Sequence, residues 1–340
     1  MSRFSLALSR RAFITALATG ALALCPSSSA QVGAQVGAQL GAQLGDKAVR
    51  IVLPNATGSG VDTITRTAQA ALAKALGKPV IVENQPGAGG IVGVQTLTRS
   101  APDGMTLGVV SNNVVIFPSV FKTLPFELPA DITPIAVVGF TPIVLVVNPK
   151  VAAKDSKELI ALLKANPGKI NYGSSGNGTI LHLAAELFLD EAGAKATHVP
   201  YKGVGPMLTD LIGGQVDFAT AALPSVQQHL QAGTLRAIGM GTAKRVPAAP
   251  DIPTFVEQGL PGYVVEAWFA VIGPKGMSAA EVKRVNEAVI ATFADPAVKE
   301  AMAKQGNVIN VSTSDYARDF FRTELAKYAA IVKKAGVEPQ

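Results

Sequence analysis

The chain has 340 residues, 48% hydrophobic and only 16% charged. That composition excludes a disordered chain and calls for one large or two medium α/β domains. One cysteine and three histidines exclude a multi-disulfide framework and a cysteine zinc site, while a net charge of +6 raises the question of an anionic partner.

At the amino terminus, Arg3 and the Arg10-Arg11 pair precede an uncharged run from Thr15 to Leu24, and Ser28-Ser29-Ala30 closes the segment. A basic start, an apolar stretch of about ten residues and small residues before a cut read as an export signal, too short to span a bilayer. Paired arginines followed by Phe13 and Ile14 fit the twin-arginine kind. Cleavage is expected after Ala30, which places the chain in the periplasm. Cys25 stands where a lipid-modified cysteine would, but Leu24 before it is bulkier than such signals carry. Removal of residues 1–30 takes three arginines, no acidic residue and the cysteine, leaving 27 basic against 24 acidic residues, or +3. Residues Gln31 to Gly45 then repeat a four-residue unit without charge; a glycine in every unit disfavours helix, and the segment reads as a flexible tether.

From Lys47 onward, strand-like and helical patterns alternate. Strands are expected at Val49 to Leu53, Val80 to Glu83, Thr106 to Val110 and Ile135 to Val147, with helices at Asp62 to Leu76 and Ile91 to Arg99. The second half gives strands at Ile170 to Tyr172, His198 to Tyr201, Val216 to Thr220 and Leu235 to Met240. Helices at Thr179 to Ala192, Pro206 to Ile212 and Pro224 to Ala232 separate them. This alternation predicts parallel sheets covered by helices on both faces. After the run Val264 to Ile272 come helices at Ala279 to Phe293, Pro296 to Lys304 and Ser314 to Lys334. The last should dock through Tyr316, Phe320, Leu325, Tyr328 and Ile331. Breaks at Asn148-Pro149 and in the Pro-rich stretch Val246 to Pro261 predict that residues 47–147 and 264–340 form one domain and 148–263 a second, with two crossings between them and a cleft at the hinge.

Three glycine-rich loops each end a strand and open a helix, at Pro54 to Asp62, Gln85 to Gly90 and Tyr172 to Thr179. Helix amino termini offer unpaired N–H groups, so these loops are candidate anion cradles. The third has the P-loop outline but lacks its lysine, and Asn177 breaks the nucleophile-elbow pattern after Ser175. The second is one residue too long for a dinucleotide fingerprint. His182 and Glu186 share a helix face without a third metal ligand. A triad of Ser174 or Ser175 with His198 and Asp217 is conceivable, though no spacing supports it. No basic stripe interleaves with aromatics, so nucleic acid is excluded as a partner.

The longer matches are the run Val82-Glu83-Asn84-Gln85-Pro86-Gly87-Ala88-Gly89-Gly90, the turn Ala101-Pro102-Asp103-Gly104 and the stretch from Ala165 to Gly176. Further matches follow at His198 to Gly203, Leu211 to Asp217 and Gly259 to Tyr263. From about Val49 to the carboxyl terminus the chain resembles the extracytoplasmic solute receptors of the tripartite tricarboxylate transporter, the Bug receptors. The resemblance implies a type II periplasmic-binding-protein fold, two doubly wound α/β domains on a two-crossing hinge. The implied protein is a monomeric, non-enzymatic receptor without cofactor or metal. It would close on a small organic carboxylate and deliver it to the large and small membrane subunits of a transporter. Carried over, the ligand contacts are Ala56, Gly58 and Ser59 from one domain and Ser174, Ser175, Gly178 and Thr179 from the other. Ser111, Asn112 and Asn113 complete the near wall, His182 and Tyr201 are second-domain neighbours, and Asp217 is counted with them. The chain departs from the family pattern in two places. Pro54-Asn55-Ala56-Thr57-Gly58-Ser59 replaces Pro-Phe-x-Pro-Gly-Gly, and Ala221-Ala222 stand where Asp-Asn often precedes Leu-Pro-Ser. The second change predicts a ligand without an amino group. An exported esterase-like hydrolase using the Gly173 to Thr179 loop, or a ligand-presenting partner of a sensor kinase, are the alternative readings.

Overall fold

The computed structural model describes residues 48–334, 337 and 339; the export segment with its arginines and Cys25, and the Gln31 to Gly45 repeat, lie outside them. The chain opens with β1 (Val49–Leu53), α1 (Gly60–Leu76), β2 (Val80–Asn84), α2 (Ile91–Thr98), β3 (Thr106–Ser111) and α3 (Asn113–Val120). Next, β4 (Ile132–Val147) leads to α4 (Ser156–Ala165), β5 (Asn171–Ser174), α5 (Ile180–Ala192), β6 (Thr197–Pro200), α6 (Val204–Gly213), β7 (Phe218–Ala222), α7 (Leu223–Gln231) and β8 (Arg236–Met240). The return segment holds β9 (Glu266–Pro274), α8 (Ala279–Ala294), α9 (Pro296–Lys304), β10 (Val308–Ile309) and α10 (Ser314–Lys334).

Local chemistry explains most boundaries. Ser59 caps α1 by accepting from the Asp62 N–H, and Gly77 ends the helix in the left-handed region at φ 65°, a conformation that glycine adopts without a Cβ penalty. Thr179 caps α5 by accepting from the His182 N–H. Helix α4, absent from the expected elements, is capped by Asp155, which accepts from the Glu158 N–H, while Glu158 accepts from the N–H of Lys154 just before the cap. Helix α3 is the other addition. Its sequence is apolar nearly all round and contains Pro118, so a short buried helix of this kind has no helical period to read.

The strands follow one hydrogen-bonded path, β2-β1-β3-β9-β4-β7-β5-β6, with β8 and β10 pairing β4 off it. The βαβ units give the expected parallel pairs, β1 with β2 and β3, and β5 with β6 and β7. The strands that run between the two groups depart from expectation. Both β4 and β9 pair antiparallel, β9 lying between β3 and β4, and β4 continuing to β7 and β8. Alternation of strand and helix dictates parallel pairing only within a single βαβ unit, whereas three helices, α4, α5 and α6, separate the last residues of β4 from β7, with which they pair. Along β4 the partner changes from β9 at Pro142 to β7 at Ile143. Pro142 has no N–H to donate to a ladder.

Helix α10 docks as expected, with its buried face turned by about one residue. Ala317, Phe321, Tyr328 and Val332 are buried together with Glu324, while Tyr316 is 56% exposed. The turn is set by Trp268 of β9, whose ring meets Phe320 and Phe321 edge-on and whose Nε1–H donates to Glu324 at 2.7 Å. That bond gives a buried carboxylate a partner, which a stripe of apolar residues alone does not anticipate.

Candidate functional site

All six strands of the two parallel groups point their carboxyl ends at one cleft. Its outer part is a cavity of about 650 Å³. Each strand contributes through the segment that follows it: Pro54 to Ser59 after β1, Pro86 to Gly89 after β2, Asn113 after β3, Ser175 to Thr179 after β5 and Tyr201 to Val204 after β6. Phe121 closes one side. The cleft continues inward to a smaller pocket that adds Ser111, Thr141, Ala222, Ser225 and Trp268, so the end of β7 joins as well. Ligands of open α/β sheets bind at such strand ends.

Helix amino termini dominate the electrostatics. The caps of α1, α5 and α6, which are Ser59, Thr179 and Gly203, line the outer cavity, and a 3₁₀ turn at Ala88–Gly90 faces it as well. Each terminus carries about half a positive charge. No Asp or Glu is among the lining residues, and Lys202 supplies the formal positive charge. An anion meets attraction from several directions there, and an ammonium group meets no carboxylate among the lining residues.

The expected contacts separate into two layers. Ala56, Ser59, Asn113, Ser175, Thr179 and Tyr201 line the outer cavity, and Ser111 lines the inner pocket. Asn113 also spans the cleft: its Oδ1 accepts from the Ile180 N–H at 2.8 Å. Gly58, Asn112, Ser174, Gly178, His182 and Asp217 do not line either compartment, and the structure gives each another task. Gly58 donates its N–H to Asp62. Asn112 is fully buried, accepting from the Trp268 N–H and donating to the Tyr328 hydroxyl and the Glu266 carbonyl. Asp217 lies at the opposite end of the strands, where its carboxylate accepts from the Asn171 N–H and borders a different cavity.

Ser174, Gly178 and His182 form a layer behind the third loop. The imidazoles of His182 and His198 stack at 4.0 Å, and Tyr172 stacks on His198 at 4.8 Å. Gly178 donates its N–H to His182 Nδ1 at 3.1 Å, which requires an unprotonated nitrogen. Burial, helped by the neighbouring His198, pushes His182 down to about 3, so the Nε2–H tautomer holds this bond at neutral pH. The 3.9 Å approach of His182 to Glu186 is therefore no ion pair there. Burial likewise lowers His198 to about 4. The His198 Nε2 lies 2.7 Å from Ser174 Oγ, but Ser174 is fully buried and Asp217 is far along the strands, so the conceivable triad is not assembled. Glu186 is engaged by the Tyr172 hydroxyl, whose acidity burial suppresses.

The segments Pro86 to Gly89 and Lys202 to Val204 complete the wall without having been singled out as contacts. The first was visible as a glycine-rich loop, and the second follows a parallel strand whose carboxyl end was already predicted. Among the described residues no cluster of three or more His, Cys, Asp or Glu is placed to hold a metal, and no helix is long and apolar enough to cross a membrane.

The profile of the tripartite tricarboxylate transporter family receptor matches residues 64–337. The chain belongs to that family. Protein BugT of Bordetella pertussis is 34% identical over 294 residues, covering 86% of this chain and 90% of BugT. Among solved structures, the periplasmic binding protein BugD is 30% identical with a TM-score of 0.82, covering 86% of this receptor and 99% of BugD. The R. palustris protein Rpa4515, solved with adipate, is 28% identical with a TM-score of 0.83, covering 86% and 98%. The receptor has the type II periplasmic-binding-protein fold.

Proposed function

We propose that this receptor works in the periplasm, binds a small organic carboxylate in the cleft and presents it to the membrane subunits of a tripartite tricarboxylate transporter. The observation that carries the reading is the convergence of helix amino termini on a cavity whose lining holds no acidic side chain. The adipate bound by Rpa4515 supports the ligand class. The carboxylate is assigned to Ser59, Asn113, Ser175 and Thr179, where the α1 and α5 caps face one another. Residues 47–147 with 264–340 act as one domain and 148–263 as the other. They close about the point where β4 changes partner, at Pro142. Ala222, which lines the inner pocket, leaves no carboxylate there to receive an ammonium group.

The test is thermal denaturation of the mature chain with a panel of mono-, di- and tricarboxylates beside their amides. Mass spectrometry of the ligand that co-purifies supplies candidates. A true ligand at a hundred times its Kd stabilises by about 2.7 kcal/mol, a rise of roughly 5 °C for a protein of this size. Failure of every carboxylate to shift the transition overturns the reading. Aspartate or glutamate binding more tightly than succinate or glutarate overturns the preference against an amino group. A hydrolase reading has one observation in its favour, the Ser174 to His198 bond. It predicts turnover of p-nitrophenyl esters that Ser174→Ala abolishes, whereas the receptor predicts saturable binding without product.

A further inference from the structure

Behind the caps of α1 and α5 the cleft narrows to the inner pocket, about 50 Å³ in volume. It shares Asn55, Ser59, Asn113 and Ser175 with the outer cavity. The rest of its wall is mainly apolar, built around Ile64, Leu181, Trp268 and Phe269. Three hydroxyls interrupt that wall, Ser111 at the end of β3, Thr141 on β4 and Ser225 in the first turn of α7. Thr141 Oγ1 and Ser225 Oγ are both buried and without a hydrogen-bond partner, and Thr141 is only 4% exposed. A valine or alanine would complete the apolar wall without leaving a polar atom unpaired, which is the costlier arrangement. These atoms belong to neither the loops nor the helix caps assigned to the carboxylate.

We infer that Thr141 and Ser225 form a specificity subsite for a hydroxyl group of the ligand. This rests on the carboxylate reading and adds the substrate class: a hydroxy acid whose hydroxyl lies a few bonds from the bound carboxylate. Size limits the occupant. At about 50 Å³ against about 650 Å³ for the outer cavity, the pocket suits a small substituent. Charge limits it further, because no Asp, Glu, Lys, Arg or His lines the pocket. A neutral group that both donates and accepts matches two hydroxyls that do the same. Ser59 and Ser175 border both compartments, so the hydroxyl is placed near the bound carboxylate.

The experiment is isothermal titration of paired ligands: lactate with propionate, 3-hydroxybutyrate with butyrate, and malate with succinate. The mature wild-type chain is compared with Thr141→Val and Ser225→Ala. At least one hydroxy acid is expected to bind the wild type about tenfold or more tightly than its deoxygenated parent. That preference falls to within about threefold in either variant, while the parent's Kd stays put. Equal binding of both members of every pair overturns the subsite and leaves the carboxylate reading standing, the outcome if the two hydroxyls hold a water only. A preference that survives in both variants also overturns it. If neither member of any pair binds, the subsite is overturned, and the carboxylate reading is decided separately by the wider thermal panel. Melting temperatures of the free variants separate misfolding from lost recognition, since each replacement keeps the wall filled.

Discussion

Asn112 and Asn113 are adjacent, and the strand end that carries them sends their side chains to different ends. Asn112 joins β3 to β9 and α10 through bonds to Trp268, Tyr328 and Glu266; Asn113 reaches across the cleft to α5. Asn112→Ala leaves several buried groups unpartnered and is expected to cost about 2–4 kcal/mol of stability while carboxylate Kd stays within about threefold. Asn113→Ala costs less stability and about tenfold in affinity. Thermal melts and titration of the same two proteins check the exchange of effects, and equal effects on both readouts would refute the division. The histidine stack makes a second prediction. Both imidazoles are pushed down from the ordinary value, to about 3 and about 4, so the unfolded chain takes up their protons first. Their contribution is complete above about pH 6.5 and is lost as pH falls from there toward 4. His198→Phe keeps a ring beside Tyr172 and removes one titrating group. It should lower the neutral-pH melting temperature by leaving Ser174 Oγ short of a partner and should make the acid decline shallower; an unchanged slope between pH 6.5 and 4 refutes the account.

Among the elements, the glycine-rich loops were legible because a turn from strand to helix leaves a local mark: a cap such as Ser59 or Thr179 and glycines at positive φ. Tyr201 and its neighbours were half legible. The rule of strand ends pointed to the right loop, but Lys202 to Val204 carry no residue pattern of their own. Three of the expected contacts stay outside the cavity lining for one cause. Gly178, Ser174 and His182 stand in the right loop and helix, yet their atoms turn inward to build it, and sequence does not show which way a loop residue faces. Asp217 lies outside the cavity for a different reason, since it immediately precedes β7 and so stands a strand's length from the cleft. The direction of β4 and β9 was illegible because no short-range signal distinguishes an antiparallel strand that returns between domains from one more parallel member of a sheet. Helix α10 shows the smaller version of the same limit: its docking was readable from its apolar spacing, while the burial of Glu324 depends on a partner, Trp268, far away in sequence.

For the whole molecule, the closure proposed above depends on how closely the loops after β1 and β6 approach. Gly203, at φ 116°, would place a Cβ 2.5 Å from the Cβ of Ala56 on the facing loop. Gly203→Ala is therefore strained twice, by its own backbone, at about 1–3 kcal/mol, and by the contact. Ligand affinity is expected to fall by about tenfold or more, and Ala56→Gly added to it recovers the steric share. Trp268, which borders the inner pocket, provides the readout through its fluorescence on titration. An additive double mutant would refute the contact.

Strand β9 sits between β3 and β4 in the sheet but arrives after β5, β6, β7 and β8 in the chain. The first half of the sheet is consequently incomplete until the carboxyl-terminal third has been synthesised. An amino-terminal fragment lacking residues 266–274 would present the edges of β3 and β4 unpaired. The order in which the ribosome delivers the strands thus differs from the order in which they can be satisfied. The strand pairs among β4 to β8 all precede β9 in the chain, so the wait for β9 falls on the first group alone.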